Sequence, residues 1–565
     1  MEGISKSICN PPGMAELCLP EARSQYSADW GDYVSFAAHM RKRADDAGVD
    51  LLLVDTGDRV EGNGLYDASS PKGKYTYDIY REQHIDIICT GNHELYQAPT
   101  AELEHERTVP NFKDTYIASN LDYIDPKTGK QEPMAQRYRK FRTKNQKLNV
   151  VAFGFLFDFT GNANNTVVQP VAATVQEKWF QKAIQERVDV FVVIGHIGVR
   201  MQEFRSIVAA IREVNPHTPI AVLGGHAHVR DATTYDDNSF ALASGRYFET
   251  IGWLSVDGVG GKADDAPATF RRRYIDNNLL GLQYHSGVDE AAFATDHGRN
   301  VSAMITQARH KMGLDKAYGC APQDYWMSRA PFESEDSIYT WLRKEVLPDM
   351  VVKEDRKDKA RLAILNTGTI RFDIFKGAFT LDTTFIVCPF LSGFRYIPDV
   401  PFGMAKKVIK LLNDAGQIFE QGGLDSRFLA IPEQWDGRLA MAASKSRTPP
   451  RSESQKPIVS NDEKPELIGG YTTQDDIGAD GDDAVHAPID FYAAPNCIQA
   501  EIEFPEKGDP ETVDMVFLDF IQPWILLALK YIRADYTERD VGVYLEPSFT
   551  ELMAKWIHEN WKGDC

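Results

Sequence analysis

The sequence predicts an α/β fold in two domains, and three observations predict it. From residue 30 to about 257, apolar strands alternate with stretches of helical spacing. A second α/β series begins near residue 315, with an apolar strand at 362–365. The 565 residues also exceed the roughly 100–200 of one domain. Strands alternating with helices place a sheet between helical layers, with polar residues of chemical use just past the carboxyl ends of the strands.

Taken in order, Tyr33, Phe36, Ala37, Met40 and Ala44 recur at helical spacing ahead of an apolar strand at 49–54. Further strands read at 85–89 and 149–155. Trp179 and Ala183 lie on a helix before a strand at 188–194, and a helix at 203–214 leads to strands at 219–223 and 252–256. The first domain is therefore assigned 30–275. Residues 276–314 read as a linker whose helix, at 290–312, bridges the domains, and 315–565 as the second domain. The apolar stretch 516–532 contains Asp519, Gln522, Pro523 and Lys530, so it reads as one buried core helix and not as a membrane span of about 20 apolar residues. Residues 441–468, rich in Ser, Pro, Lys and Glu without a period, are expected to be a disordered surface insertion. The acidic stretch 478–486 lacks the ligand spacing of an EF-hand and reads as a solvated loop. Residues 1–29 have no periodicity and no apolar run after a basic start, so they are expected to be disordered and are not a secretory signal.

Composition narrows the function. Hydrophobic residues at 43% and aromatics at 11% exclude a wholly disordered chain. With 62 basic against 82 acidic residues, the net charge of −20 argues against nucleic acid polymers and anionic lipid, which need counter-charge from Lys and Arg. A small phosphate compound in a local positive pocket stays allowed. The seven cysteines are scattered without a CxxC, so neither a zinc finger nor a disulfide framework is expected, and the redox compartment stays open. Sequons begin at Asn164 and Asn300.

Four polar clusters each follow an apolar strand of the first domain. They are Asp55-Thr56-Gly57-Asp58, Gly91-Asn92-His93-Glu94, Gly195-His196 and Gly224-Gly225-His226-Ala227-His228. Glycine before each ligand lets the chain turn at the strand end. Carboxylate, amide oxygen and imidazole suit a divalent ion of borderline softness, zinc, manganese or iron, and Asp58 can bridge two such ions.

This ordered set resembles the calcineurin-like metallophosphoesterases. In the second domain, Asn366-Thr367-Gly368-Thr369-Ile370-Arg371 followed by Cys388-Pro389-Phe390 resembles the substrate domain of 5′-nucleotidases. The resemblance implies a layered α/β metallophosphoesterase domain joined to a 5′-nucleotidase-like α/β domain. It implies two divalent ions, with His93 near them to stabilise developing charge or protonate the leaving oxygen. It implies that Asn366 and Arg371 hold the substrate and its phosphate, that Phe390 stacks on a base, and that Arg329 is a further phosphate contact. The domains would then face each other across a hinge near 290–312. The implied activity is a metal-dependent phosphoric ester hydrolase acting on nucleotides or related phosphate esters. Relatives of this kind are often secreted or vacuolar.

Two departures stand out. The family's opening DxH motif, which supplies two ligands of one metal, has no counterpart before Asp58. One ion keeps Asp58, Asn92, His196 and His226, while the other is left with Asp58 and His228. A chain start placed after the first strand accounts for this; the competing account is real loss of one site, giving an impaired member that binds nucleotide or a partner. The second departure is Tyr96, where nucleotidases carry an Asp that orients the catalytic His. The alternatives of a nucleotide sugar, cyclic phosphodiester or phosphoprotein substrate share the metal site and are separated only by the second domain.

Overall fold

A computed structural model describes residues 27–260, 268–431, 434, 467–468, 473–475, 491–563 and 565. The expectations for 1–26, 441–466 and 478–486 lie outside the described residues. Two compact units divide the chain. Among the described residues, the first takes 27–312 with 473–475, and the second takes 313–468 and 491–565.

The first unit opens with helix Trp30–Ala47. Asp29 caps it by accepting from the Asp32 amide while the Asp32 carboxylate accepts from the Asp29 amide, both at 3.0 Å. Helix Asp296–Met312 packs on it within the same unit, and Ser302 Oγ donates to Asp29 Oδ1 at 2.8 Å. The main sheet runs in the order Thr473–Asp475, Arg230–Asp236, Ser239–Ser244, Ile220–Gly224, Val190–His196, Asn149–Leu156, Tyr138–Arg142. Four neighbouring strands, Asn149–Leu156, Val190–His196, Ile220–Gly224 and Ser239–Ser244, are parallel, with Leu156 opposite His196 and Ile194 opposite Leu223. All seven residues of Val190–His196 are buried, as a strand covered on both faces requires, which is why its sequence is a continuous apolar run and not an alternating one. A separate parallel pair, Val54–Asp55 with Ile87–Ile88, carries the first two clusters. Ile87, Cys89, Val150, Ala152, Val192 and Ile194 form the core between them.

The second unit is built on a five-stranded mixed sheet in the order Cys497–Ile502, Arg361–Asn366, Thr512–Leu518, Gly393–Pro401, Gly542–Ser548. The single core helix expected over 516–532 is corrected here. Val513 to Leu518 form a buried strand between Arg361–Asn366 and Gly393–Pro401, and the helix is Gln522–Tyr531. Pro523 explains the break, because proline lacks an N–H for a preceding turn but suits the first turn of a new helix. Cys320 and Cys565 form a disulfide with Cα atoms 5.6 Å apart, a pairing the scattered spacing did not suggest. Cys89, Cys388 and Cys497 are buried thiols outside that disulfide. No helix among the described residues is long and apolar enough to cross a membrane.

Candidate active site

Asp58 sits in a loop whose backbone is unusual. Gly57, Asp58, Glu61 and Gly62 all have φ in the left-handed region, at 96°, 59°, 65° and 96°. Non-glycine residues there store strain that the surroundings must hold. The holding groups are buried carboxylates. Glu94 accepts from the amides of Asp58 (3.0 Å), Arg59 (2.5 Å) and Gly91 (2.8 Å), which ties the Asp58 loop to the 91–94 turn. Asp67 accepts from the amides of Gly62 and Asn63 at 2.7 and 3.2 Å. The turn comes so close that a β-carbon on Gly91 would collide with Asp58 Oδ1, so only glycine fits.

Beneath the loop, Arg59 is buried and donates through Nη1 to Asp55 Oδ1 at 3.0 Å and to the Cys89 carbonyl at 2.7 Å. Its Nη2 pairs with Glu104, which also accepts from Tyr116 Oη at 2.6 Å. Burial opposes the guanidinium charge, but Glu104 and Glu94 hold its pKa well above the ordinary arginine value. Burial pushes the Glu94 carboxyl up to about 7, against the pull of Arg59.

Around Asp58 the other tips converge. His196, fully buried at its strand end, has Nδ1 3.0 Å from the Thr56 carbonyl and Nε2 3.0 Å from Asp58 Oδ2. Donation by Nδ1 to that carbonyl leaves Nε2 to face the carboxylate. The His93 amide donates to Asp58 Oδ1 at 2.9 Å, and its ring Nε2 lies 3.8 Å from Oδ2. Burial would raise the Asp58 carboxyl, yet the His196 and His93 imidazoles hold it well below the usual carboxylate range. Asn92 donates through Nδ2 to Tyr96 Oη at 2.9 Å, while its buried Oδ1 has no hydrogen-bond partner among the described residues. The half-buried His226 ring stacks on Phe157 at 4.3 Å and meets the His196 ring edgewise at 5.2 Å. His228, buried, lies against Tyr247 at 5.4 Å. Both histidines have φ in the left-handed region, 74° and 62°.

The structure thus brings Asp58, Asn92, His93, His196 and His226 together. Among the described residues, no group of three or more His, Cys, Asp and Glu side chains is arranged to hold an ion by itself. Asp58, His196 and the amide oxygen of Asn92 fit one as a mixed set, because a buried amide oxygen without a donor is what a cation satisfies. Sequence reasoning missed Glu61. Its Oε2 lies 2.7 Å from His93 Nδ1, the contact that an Asp at position 96 was expected to make. Tyr96 instead orients Asn92.

In the second unit, Asn366 ends its strand and its Oδ1 accepts from Thr369 Oγ1 at 2.9 Å. The Arg371 amide donates to the Val387 carbonyl at 2.8 Å, and its guanidinium lies over the half-buried Phe390 ring at 4.9 Å. Thr550 Oγ1 donates to the carbonyls of Cys388 (3.0 Å) and Phe390 (2.6 Å), pinning that turn. Arg329 sits over Trp326 at 5.0 Å, with Nε 3.8 Å from Asp373 Oδ2.

Comparison with known proteins places the chain in a family. Residues 27–230 match the Calcineurin-like phosphoesterase family, and residues 324–526 match the NAD nucleotidase, C-terminal domain family. The crystal structure of a 5′-nucleotidase from Candida albicans is 36% identical, covering 94% of this chain and 93% of that one with a TM-score of 0.82. A protein of Arthroderma benhamiae named "Secreted protein" is 37% identical, over 95% of this chain and 87% of that protein. An uncharacterised protein of Schizosaccharomyces pombe is also 37% identical, over 96% and 89%. The chain belongs to the calcineurin-like metallophosphoesterases that carry a 5′-nucleotidase-type C-terminal domain.

Proposed function

We propose that the chain is a metal-dependent phosphoric ester hydrolase of 5′-nucleotidase type, acting on nucleotides or related phosphate esters. The observation that carries this reading is the convergence of Asp58, His93 and His196, with the buried Asn92 Oδ1 lacking a hydrogen-bond partner among the described residues. Divalent ions, which this family uses, supply Lewis-acid polarisation of phosphoryl oxygens and lower the pKa of water when bound. Asp58, Asn92, His196 and His226 would hold them, with His228 as a further donor. The chain's own groups then act on the ester. The attacking water oxygen bonds to phosphorus, the ester P–O bond breaks, and His93 Nε2 gives its proton to the departing oxygen while the water's proton passes to solvent. Asn366, Arg371 and Phe390 hold the nucleotide, through an arginine fork on phosphate and an aromatic face on the base, with Arg329 as a further phosphate contact.

The test is phosphate release from a nucleoside 5′-monophosphate by the full chain with manganese or zinc added. Metal-dependent release that disappears in His93→Ala is expected. No release with any ion overturns the reading, and nucleotide binding without release favours an impaired, binding-only member. The Cys320–Cys565 bridge, the exposed Asn164 and Asn300 of the two sequons, and the name of the Arthroderma relative support an oxidising, secretory setting.

A further inference from the structure

The carboxylate expected after the 91–94 turn is replaced by Tyr96, whose hydroxyl is engaged by Asn92 Nδ2. His93 is nevertheless held. Its Nδ1 meets Glu61 Oε2 at 2.7 Å, and Glu61 is only 6% exposed. Glu61 belongs to the other loop, three residues after Asp58, so one short segment supplies both the carboxylate facing Nε2 and the carboxylate holding Nδ1. This is a built contact. Glu61 and Asp58 both sit at left-handed φ, and the loop is fastened on both sides of Glu61, by Glu94 at Asp58 and Arg59 and by Asp67 at Gly62 and Asn63.

We propose that Glu61 is the positioning residue for His93: Nδ1–H donates to the Glu61 carboxylate, which fixes the direction of the ring and presents Nε2 toward Asp58 and the leaving oxygen of the ester. A carboxylate on the far nitrogen of a working imidazole fixes the direction in which the ring points. In this chain the role has moved from the turn that carries the histidine to the loop that carries the metal-facing aspartate. The inference rests on the phosphoesterase reading for its catalytic consequence, but not for the contact itself.

The test uses Glu61→Ala, Glu61→Gln and Glu61→Asp in the full chain with manganese. Glu61→Ala is expected to lower kcat on a nucleoside 5′-monophosphate by about 10–100-fold, the usual cost of losing such an outer partner, with KM and bound metal unchanged. The loss should be smaller on p-nitrophenyl phosphate, whose leaving oxygen departs without a proton. Glu61→Asp should recover part of the rate, and Glu61→Gln, which keeps volume and an acceptor oxygen, should fall between wild type and Ala. Equal losses on both substrates, or a wild-type kcat in Glu61→Ala, overturn the positioning role. A second readout needs no turnover. In histidine-labelled protein, with His93 identified by the signal missing from His93→Gln, the ¹⁵N spectrum should show a protonated, hydrogen-bonded Nδ1 in wild type and a shifted Nδ1 signal in Glu61→Ala. An unchanged His93 signal sinks the proposal. Absence of phosphate release from wild type would defeat the hydrolase reading alone, since the spectra still decide whether Glu61 sets the ring.

Discussion

Asp58 Oδ2 lies 3.0 Å from His196 Nε2, joining the loop after one strand pair to the last residue of a buried strand in the main sheet. The His196 and His93 imidazoles hold the Asp58 carboxyl well below the usual carboxylate range, so a cation entering here would meet an ionised carboxylate. Asp58→Asn keeps the shape and removes the charge. Metal content should fall, and phosphate release should drop by at least the roughly 100-fold that losing an outer-shell partner can cost. Elemental analysis of the purified variant beside a phosphate assay checks both. Retention of bound metal would remove Asp58 from the ligand set.

The Arg371 guanidinium covers one face of the Phe390 ring at 4.9 Å, and the proposed role gives the ring a base to stack on as well. Phe390→Ala should raise KM for a nucleoside monophosphate by the roughly 1–3 kcal/mol that one stacked base is worth. The same change should barely alter KM for a simple aryl phosphate. Equal changes for both substrates would mean that the ring only shapes Arg371.

The tips Asp58, His93, His196 and His226 were legible because each closes an apolar strand that the sequence announces. Glu61, Glu94 and Arg59 were not, since the partners that tie them to other segments, His93, Asp58 and Glu104, lie some thirty or more residues away and a buried ion pair leaves no period in the chain. The strand Thr512–Leu518 was misread because an unbroken apolar run suits a buried strand and a buried helix alike, and only Pro523 marked the change. Cys320 and Cys565 stand 245 residues apart, beyond any spacing rule. The seating of Thr473–Asp475 beside Arg230–Asp236 was equally hidden, because that segment follows most of the second unit in sequence.

Glu94 gathers three amides from two loops, so its loss should be felt in stability before activity. Glu94→Ala leaves buried N–H donors at Asp58, Arg59 and Gly91 without an acceptor, at about 1–3 kcal/mol each. It also takes a carboxylate from beside the buried Arg59. A large fall in melting temperature, or failure to obtain folded protein, is expected. Glu94→Gln, which keeps one acceptor oxygen, should lose less. A melting temperature unchanged in Glu94→Ala would show that the loops are held by other means.

Asp67 gives the fold a dependence on pH. Burial pushes its carboxyl up to about 7, with Lys72 at 3.1 Å pulling the other way. In the unfolded chain an aspartate titrates near 3.9. Below that value both states hold the proton and the contribution to stability is complete. As pH rises from about 4 to 7, the unfolded chain releases its proton while the folded chain keeps it, so stability falls, by a total of roughly 4 kcal/mol, and then levels off. Asp67→Asn removes this slope while keeping an oxygen for the Gly62 amide. Urea unfolding from pH 4.5 to 7.5 should therefore show the variant gaining on wild type steadily as pH rises. If wild type gained on the variant instead, Asp67 would be ionised in the folded chain, and its pairing with Lys72 would outweigh the cost of burying the charge.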